Sequence, residues 1–192
     1  MKFDGKDIMM NSESKKILDT LQYARHDWLN KVQLIKGYLG LGKIDQIERI
    51  IDQIVIESQH ESRLTKLRLP EFAVLLMTHN WGGLSFQLDF EMVSDYRVEK
   101  INETQLMEWM NAFFIQLNNA VHPLHENHLQ ILIEPQTNQL DLAFHYEGML
   151  KDDQVLQQWL HNQANIQEYL YLEKITKTEF NLKVTFQAHR SE

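Results

Sequence analysis

Of the nine histidines in this chain, His26 has the neighbours best suited to chemistry. It lies in the run Arg25-His26-Asp27-Trp28-Leu29-Asn30-Lys31, an imidazole set between a cation and a carboxylate. The ordinary reading of a helical histidine is a solvated surface residue. An exposed imidazole is also a nucleophile that a docking protein can reach, and its unperturbed pKa keeps much of it neutral near neutral pH. Asp27 can orient the ring or restrain its tautomer, with Asn30 in support. Arg25 and Lys31 can offset the charge of an anionic group in transfer, as electrostatic stabilisation of phosphoryl chemistry requires. Other constellations carry less. His122, His125 and His128 invite a metal-site reading, but Pro123 disrupts the helix, the spacing is not a usual zinc pair and only Glu126 adjoins as a carboxylate. They read as loop histidines, and no metal site is assigned. Glu147, Asp152 and Asp153 mark a turn and a helix N-terminus, and Trp81, Trp109 and Trp159 read as core.

The elements that must position His26 follow from glycine, proline and apolar spacing. Proline is absent from Ser12 to Leu69, and the glycines of that stretch cluster at 37, 40 and 42. This predicts two long helices joined by a short turn, the first over about 14–39 and the second over about 44–67. On the first, Leu18, Leu21, Arg25, Trp28, Val32, Ile35 and Leu39 recur in steps of three and four, a heptad seam broken only by Arg25. One residue is about 100° of rotation, so His26 leaves the seam and faces solvent with Asn30, Gln33 and Gly37 along its strip and Leu34 at its border. Gly40-Leu41-Gly42 supplies the helix stop, and Asp45 with Glu48 is expected to cap the second helix. That helix carries Ile44, Ile47, Ile51 and Ile54 on one face. Two such helices leave their stripes half covered. The economical solution is a four-helix bundle from two chains; packing against the rest of the chain is the competing one.

Composition excludes several functions. With 19 basic and 27 acidic residues the net charge is −8, which makes a poor non-specific binder of nucleic acid or anionic membranes. The absence of cysteine excludes disulfides, cysteine-ligated zinc, iron–sulfur clusters and thiol nucleophiles. The first ten residues carry Lys2, Asp4, Lys6 and Asp7, unlike a signal peptide, and no apolar run is long enough for a membrane helix. A cytoplasmic protein is expected.

The segment Arg25-His26-Asp27-Trp28-Leu29-Asn30-Lys31-Val32-Gln33-Leu34-Ile35-Lys36-Gly37, followed by Leu41-Gly42-Lys43, resembles the phosphoacceptor segment of the sporulation initiation phosphotransferase B family. A related segment occurs in citrate/malate-type sensor histidine kinases. The resemblance continues through the second helix and, more loosely, to the C-terminus. It implies that His26 is the phosphorylated histidine of a homodimer. That homodimer would relay a phosphoryl group from the aspartate of a single-domain response regulator to the receiver of a sporulation transcription factor. Magnesium is then needed on the partner receivers, with no cofactor bound permanently here. Gln33, Leu34, Gly37 and the hairpin end are the expected docking face.

Past Pro70 the texture changes, and the domain boundary is placed there, giving 1–69 as the helical hairpin and 70–192 as a second domain. Its order reads helix 71–80, strand 84–92, helix 102–121, strands 129–134 and 140–146, helix 152–164, and strands 169–176 and 180–188. This α/β sandwich makes the whole chain α+β and is similar in order to the ATP-binding domain of histidine kinases. Leu117-Asn118-Asn119-Ala120-Val121 resembles the asparagine box of those enzymes. Their Asp-x-Gly-x-Gly segment is replaced by His145-Tyr146-Glu147-Gly148-Met149, and no glycine follows that could build a phosphate-cradling loop. The domain is expected to keep the fold, to lack the nucleotide and to brace the bundle. The rival readings are an ATP-dependent kinase core with degenerate boxes and a receiver-docking adaptor that carries no phosphate.

Overall fold

The computed structural model describes residues 5–163 and 169–188, with side chains from residue 14 onward. Helix α1 spans Gly5–Gly40 and α2 spans Ile44–Leu64. The first begins earlier than predicted, since neither proline nor paired glycine interrupts the chain before Ser14. Its end is a Schellman motif: the Lys43 N–H donates to the Tyr38 carbonyl at 3.0 Å and the Gly42 N–H to Leu39 at 3.1 Å. Gly42 supplies the left-handed residue at φ 68°, which costs a side-chain-bearing residue a Cβ clash. Asp45 does not cap α2. The helix starts at Ile44, so Asp45 sits inside the first turn, where its charge complements the helix dipole.

The chain forms two compact units, Met1–Ser58 and Gln59–Glu192, which divide within α2. The reason is packing. Leu64, Leu67 and Leu69 are buried in the core of the second unit, and His60 Nδ1 accepts from the Met92 N–H at 2.9 Å. In the first unit, Lys31 Nζ meets Glu57 Oε2 at 2.6 Å across the hairpin, and Ala24, Ile35, Ile47, Ile50 and Ile54 are half-buried. The stripe Leu18, Leu21, Trp28, Val32 and Leu39 on α1, with Ile44, Ile51 and Val55 on α2, remains exposed.

In the second unit, α3 spans Pro70–Thr78, β1 Gln87–Met92, α4 Glu103–Ala120, β2 His128–Gln136, β3 Gln139–Glu147, α5 Asp153–His161, β4 Leu170–Ile175 and β5 Glu179–Gln187. The predicted order is therefore present; Ala164, at the predicted end of α5, lies outside the described residues. The sheet runs β1-β2-β3-β5-β4, with β1 and β2 parallel and the other pairs antiparallel. Alternation turns Leu129, Ile131 and Ile133 of β2 and Phe180, Leu182, Val184 and Phe186 of β5 into the core. They meet Leu106, Trp109, Met110, Phe113 and Leu117 of α4, with Trp109 stacked on Phe113 at 5.2 Å. Helices thus cover one face, while Asp89, Glu91, Glu134, Glu147 and Lys183 leave the other polar. Among the described residues no helix is long and apolar enough to cross a membrane.

Two helix starts show why these elements stop where they do. Asn102 caps α4 by accepting from the Gln105 N–H at 3.1 Å, and Asp152 caps α5 by accepting from Gln154 at 2.9 Å. Helix α3 lacks a cap of its own; Glu103 Oε1 takes the N–H groups of Glu71 and Phe72 at 2.7 and 3.1 Å. The predicted strand from residue 84 begins only at Gln87, because Ser85 and Phe86 are claimed by other contacts. The Ser85 N–H donates to Asn118 Oδ1 at 2.8 Å, and the Phe86 ring lies 4.6 Å from His79.

Candidate functional site

Helix α1 divides its circumference three ways. Taking His26 as the origin at about 100° per residue, the face toward α2 is centred near 150° and the exposed apolar stripe near −130°. The His26 face, with Asn30, Gln33 and Gly37, occupies the remaining arc. The histidine is exposed, as are Arg25, Asp27, Asn30, Gln33, Leu34 and Gly37. The sequence expectation of a solvent-facing imidazole outside the seam therefore matches its placement.

The ring is held from one turn ahead. Asn30 Nδ2 lies 3.2 Å from His26 Nδ1. Side chains on a helix lean toward its N-terminus, so a residue at i+4 reaches back onto the residue at i, whereas Asp27 points about 100° away. The hydrogen-bonded partner of the imidazole is thus Asn30 and not Asp27. Lys31 is likewise engaged elsewhere: five residues on, it is turned by about 140° from His26 and pairs with Glu57, which also accepts from Gln53 at 3.0 Å. Arg25 is exposed and has no partner among the described residues; it lies about 100° around the helix from His26, on the side of the apolar stripe. The sequence reading gave Asn30 only a supporting place and missed Glu57. The i, i+4 spacing of His26 and Asn30 was the signal for the first; nothing local could announce the second.

Gly37 and Gly40 carry information through what surrounds them. A Cβ built on either meets nothing within 4 Å, so no contact within the chain demands a glycine there. Each costs the helix about 1 kcal/mol relative to alanine. The result is bare backbone at Gly37 and Gly40, about three to four turns from the imidazole, flanked by the exposed side chains of Leu34 and Leu41.

In the second unit the residues that suggested a nucleotide box have structural duties. Asn118 Oδ1 holds the backbone of Ser85. Gly148 is a packing glycine: a Cβ on it would stand 2.5 Å from both Asn127 Oδ1 and the Tyr146 hydroxyl. Asn127 is buried and organises this end of the sheet. Its Nδ2 donates toward the carbonyls of Ser85, His122 and His125 at 2.9, 3.0 and 2.9 Å. Its Oδ1 accepts from the Tyr146 hydroxyl at 2.7 Å and the Met149 N–H at 3.0 Å. Burial pushes the Tyr146 phenol up to about 12. The histidines of the following turn diverge. The rings of His122 and His125 meet edge-on at 4.8 Å, while His128 Nε2 turns to Asp89 at 2.8 Å. Among the described residues no group of three His, Cys, Asp or Glu side chains could hold a metal ion.

Residues 7–67 match the model of the sensor kinase SpoOB-type alpha-helical domain, and residues 68–187 that of the sporulation initiation phosphotransferase B C-terminal domain. The chain is 31% identical over 157 residues to sporulation initiation phosphotransferase B of Bacillus subtilis (strain 168), covering 77% of this chain and 82% of that protein. Among solved structures it is similar to the catalytic domain of histidine kinase ThkA, with 12% identity and a TM-score of 0.44 over 62% of this chain and 89% of that one. It is also similar to the histidine kinase AdeS of Acinetobacter baumannii, with 12% identity and a TM-score of 0.42 over 86% and 98% of the two chains. Two family models that together take in the hairpin and the sheet domain, with a relative matched over most of both chains, place this protein in the sporulation initiation phosphotransferase B family.

Proposed function

We propose that the protein is a phosphorelay histidine phosphotransferase in which His26 carries the phosphoryl group. The observation that carries this reading is the exposed imidazole of His26 on the face of α1 that serves neither α2 nor the apolar stripe. Membership of a phosphotransferase family supports it. In the first step the imidazole lone pair attacks phosphorus of an aspartyl phosphate on a docked receiver. The N–P bond forms as the P–O bond to the aspartate breaks, and the carboxylate leaves. In the second step the aspartate of another receiver attacks the same phosphorus, the N–P bond breaks and the imidazole is released. Arg25 offsets charge on the group in transit, and magnesium belongs to the receivers.

The donor in this proposal is a single-domain response regulator, and the acceptor is the receiver of a sporulation transcription factor. Both dock on Gln33, Leu34 and Gly37, where bare backbone admits close approach. The exposed stripe from Leu18 to Leu39 is covered by a second copy of the chain, completing a four-helix bundle. In this reading the second unit works without nucleotide, a view supported by Asn118 holding the Ser85 backbone and Gly148 being required for packing.

The test is a labelling assay with magnesium on wild type beside His26→Gln. One arm supplies radiolabelled ATP and the other a phosphorylated single-domain receiver. Label reaching the wild type from the receiver alone, and absent from the variant, is the expected result. Label taken from ATP would make the protein a kinase, and label on neither would leave only an adaptor.

A further inference from the structure

We propose that Lys36 of one copy of the chain pairs with Asp52 of a second copy, and that this ion pair, made twice, fixes which helices of the two hairpins abut. The inference rests on the two-chain bundle proposed above and adds the residues that select its arrangement. Both side chains are exposed, and neither has an ion-pair partner among the described residues. What brings them together is their place around and along the helices.

On α1 the face toward α2 lies near 150° and the exposed apolar stripe near −130° from His26. Lys36 stands at about −80°, on the flank of the stripe away from α2. On α2, with Ile54 as origin, the half-buried Ile47, Ile50 and Ile54 fall within about 60° of one another and face α1. The exposed Ile44, Ile51 and Val55 lie at about 60–100°. Glu48 and Asp52 follow at about 120° and 160°, again on the flank away from the intrachain contact. Each hairpin thus carries an apolar strip edged by a cation on α1 and by acids on α2. A second hairpin that covers the strip brings these edges together, as charged flanks meet in coiled coils. Setting α1 against the second α1 would bring Lys36 to its own copy and Asp52 to its own. Setting α1 against the second α2 pairs opposite charges on both sides.

The level along the axis agrees. Lys31 meets Glu57 at 2.6 Å across the hairpin. In antiparallel helices a step forward on one matches a step back on the other, so five residues from that pair lead from Lys31 to Lys36 and from Glu57 to Asp52. A two-fold axis along the bundle leaves every level unchanged, so α1 meets the second α2 with the offset it has to its own. Lys36 therefore stands to Asp52 of the second copy as Lys31 stands to Glu57. Such a bundle has both hairpin turns at one end and leaves both His26 rings on the outside.

The experiment is analytical ultracentrifugation of the full chain at low salt, with Lys36→Glu, Asp52→Lys and the double variant beside wild type. Each single reversal sets like charges together twice per dimer and is expected to weaken the dimer about tenfold, and less at high salt. The double variant is expected to dimerise as wild type does. A mixture of the two single variants is expected to form heterodimers in preference to either homodimer, because both pairs are then opposite in charge. Glutamate and lysine are good helix formers, so circular dichroism should not change. A second readout needs no charge: the chain has no cysteine, so Lys36→Cys and Asp52→Cys each supply a single thiol. A short bis-maleimide is expected to join chains in a mixture of those two variants and in neither alone. Single reversals as tight as wild type, a double variant as weak as the singles, or Lys36→Cys cross-linking to itself would overturn the pair while leaving the dimer. A monomeric wild type would overturn both the pair and the two-chain bundle.

Discussion

At the scale of single residues, the sequence made His26 legible because its exposure follows from helical periodicity alone. The contacts around it were less so: Asp27 was the adjacent polar group, but the turn of the helix gives the ring to Asn30 and gives Lys31 to Glu57. Gly37 separates docking from stability. Because a Cβ there meets nothing within 4 Å, Gly37→Ala should stabilise the helix by about 1 kcal/mol. Gly37→Leu should fold equally well yet raise KM for the phosphorylated receiver, which thermal melts and transfer kinetics together would read. Two histidines give opposite pH dependences. Burial holds His79 below the usual value of 6.5, so its contribution to stability is complete above that pH and is lost as pH falls toward its folded value. Hydrogen bonds to Asn181 and Glu147 hold His145 above 6.5, so its contribution is complete below that pH and is lost as pH rises through its folded value. His79→Phe should therefore flatten the acid side of a Tm against pH profile, and His145→Gln the side above 6.5.

At the scale of elements, every helix and strand of the second unit was readable from alternation and from the Gly and Pro breaks. Asn102 and Asp152 fall where capping chemistry places them. What periodicity could not give was the role of residues whose partners lie far along the chain. Gly148 looked like a remnant of a nucleotide-binding box, and only the fold brings Asn127 and Tyr146 against it. The start of β1 shifted for the same reason, because Asn118 reaches 33 residues back to Ser85. Gly148→Ala should cost about 1–3 kcal/mol, the range for forcing an added methyl into a packed site. Asn127→Ala should cost at least as much, because it leaves buried donors and acceptors unpaired. Urea melts would measure both. A Gly148→Ala protein as stable as wild type would show that the glycine is not kept for packing.

At the scale of the whole molecule, the exposed stripe is the feature one chain does not resolve. Leu18, Leu21, Trp28, Val32 and Leu39 expose far more apolar surface along one line than scattered surface residues do. The proposed bundle predicts a dimer in light scattering that Leu21→Asp with Val32→Asp converts to monomers, while the second unit stays folded because its core is built from other residues. Arg25 interrupts that line, and no packing contact among the described residues explains it. The boundary expected near Pro70 lies close to the junction of the two family models at residues 67 and 68, while the compact units divide earlier, within α2, where a continuous helical pattern does not reveal which core its last turns join. The relay itself comes down to one covalent bond. The most direct measurement is to phosphorylate the protein from a phosphorylated receiver, digest it at alkaline pH and locate the phosphoryl group by mass spectrometry. The account predicts an acid-labile, base-stable phosphoryl on the peptide containing His26; a phosphoryl on any other peptide, or an unmodified His26 under conditions where the receiver is discharged, would contradict it.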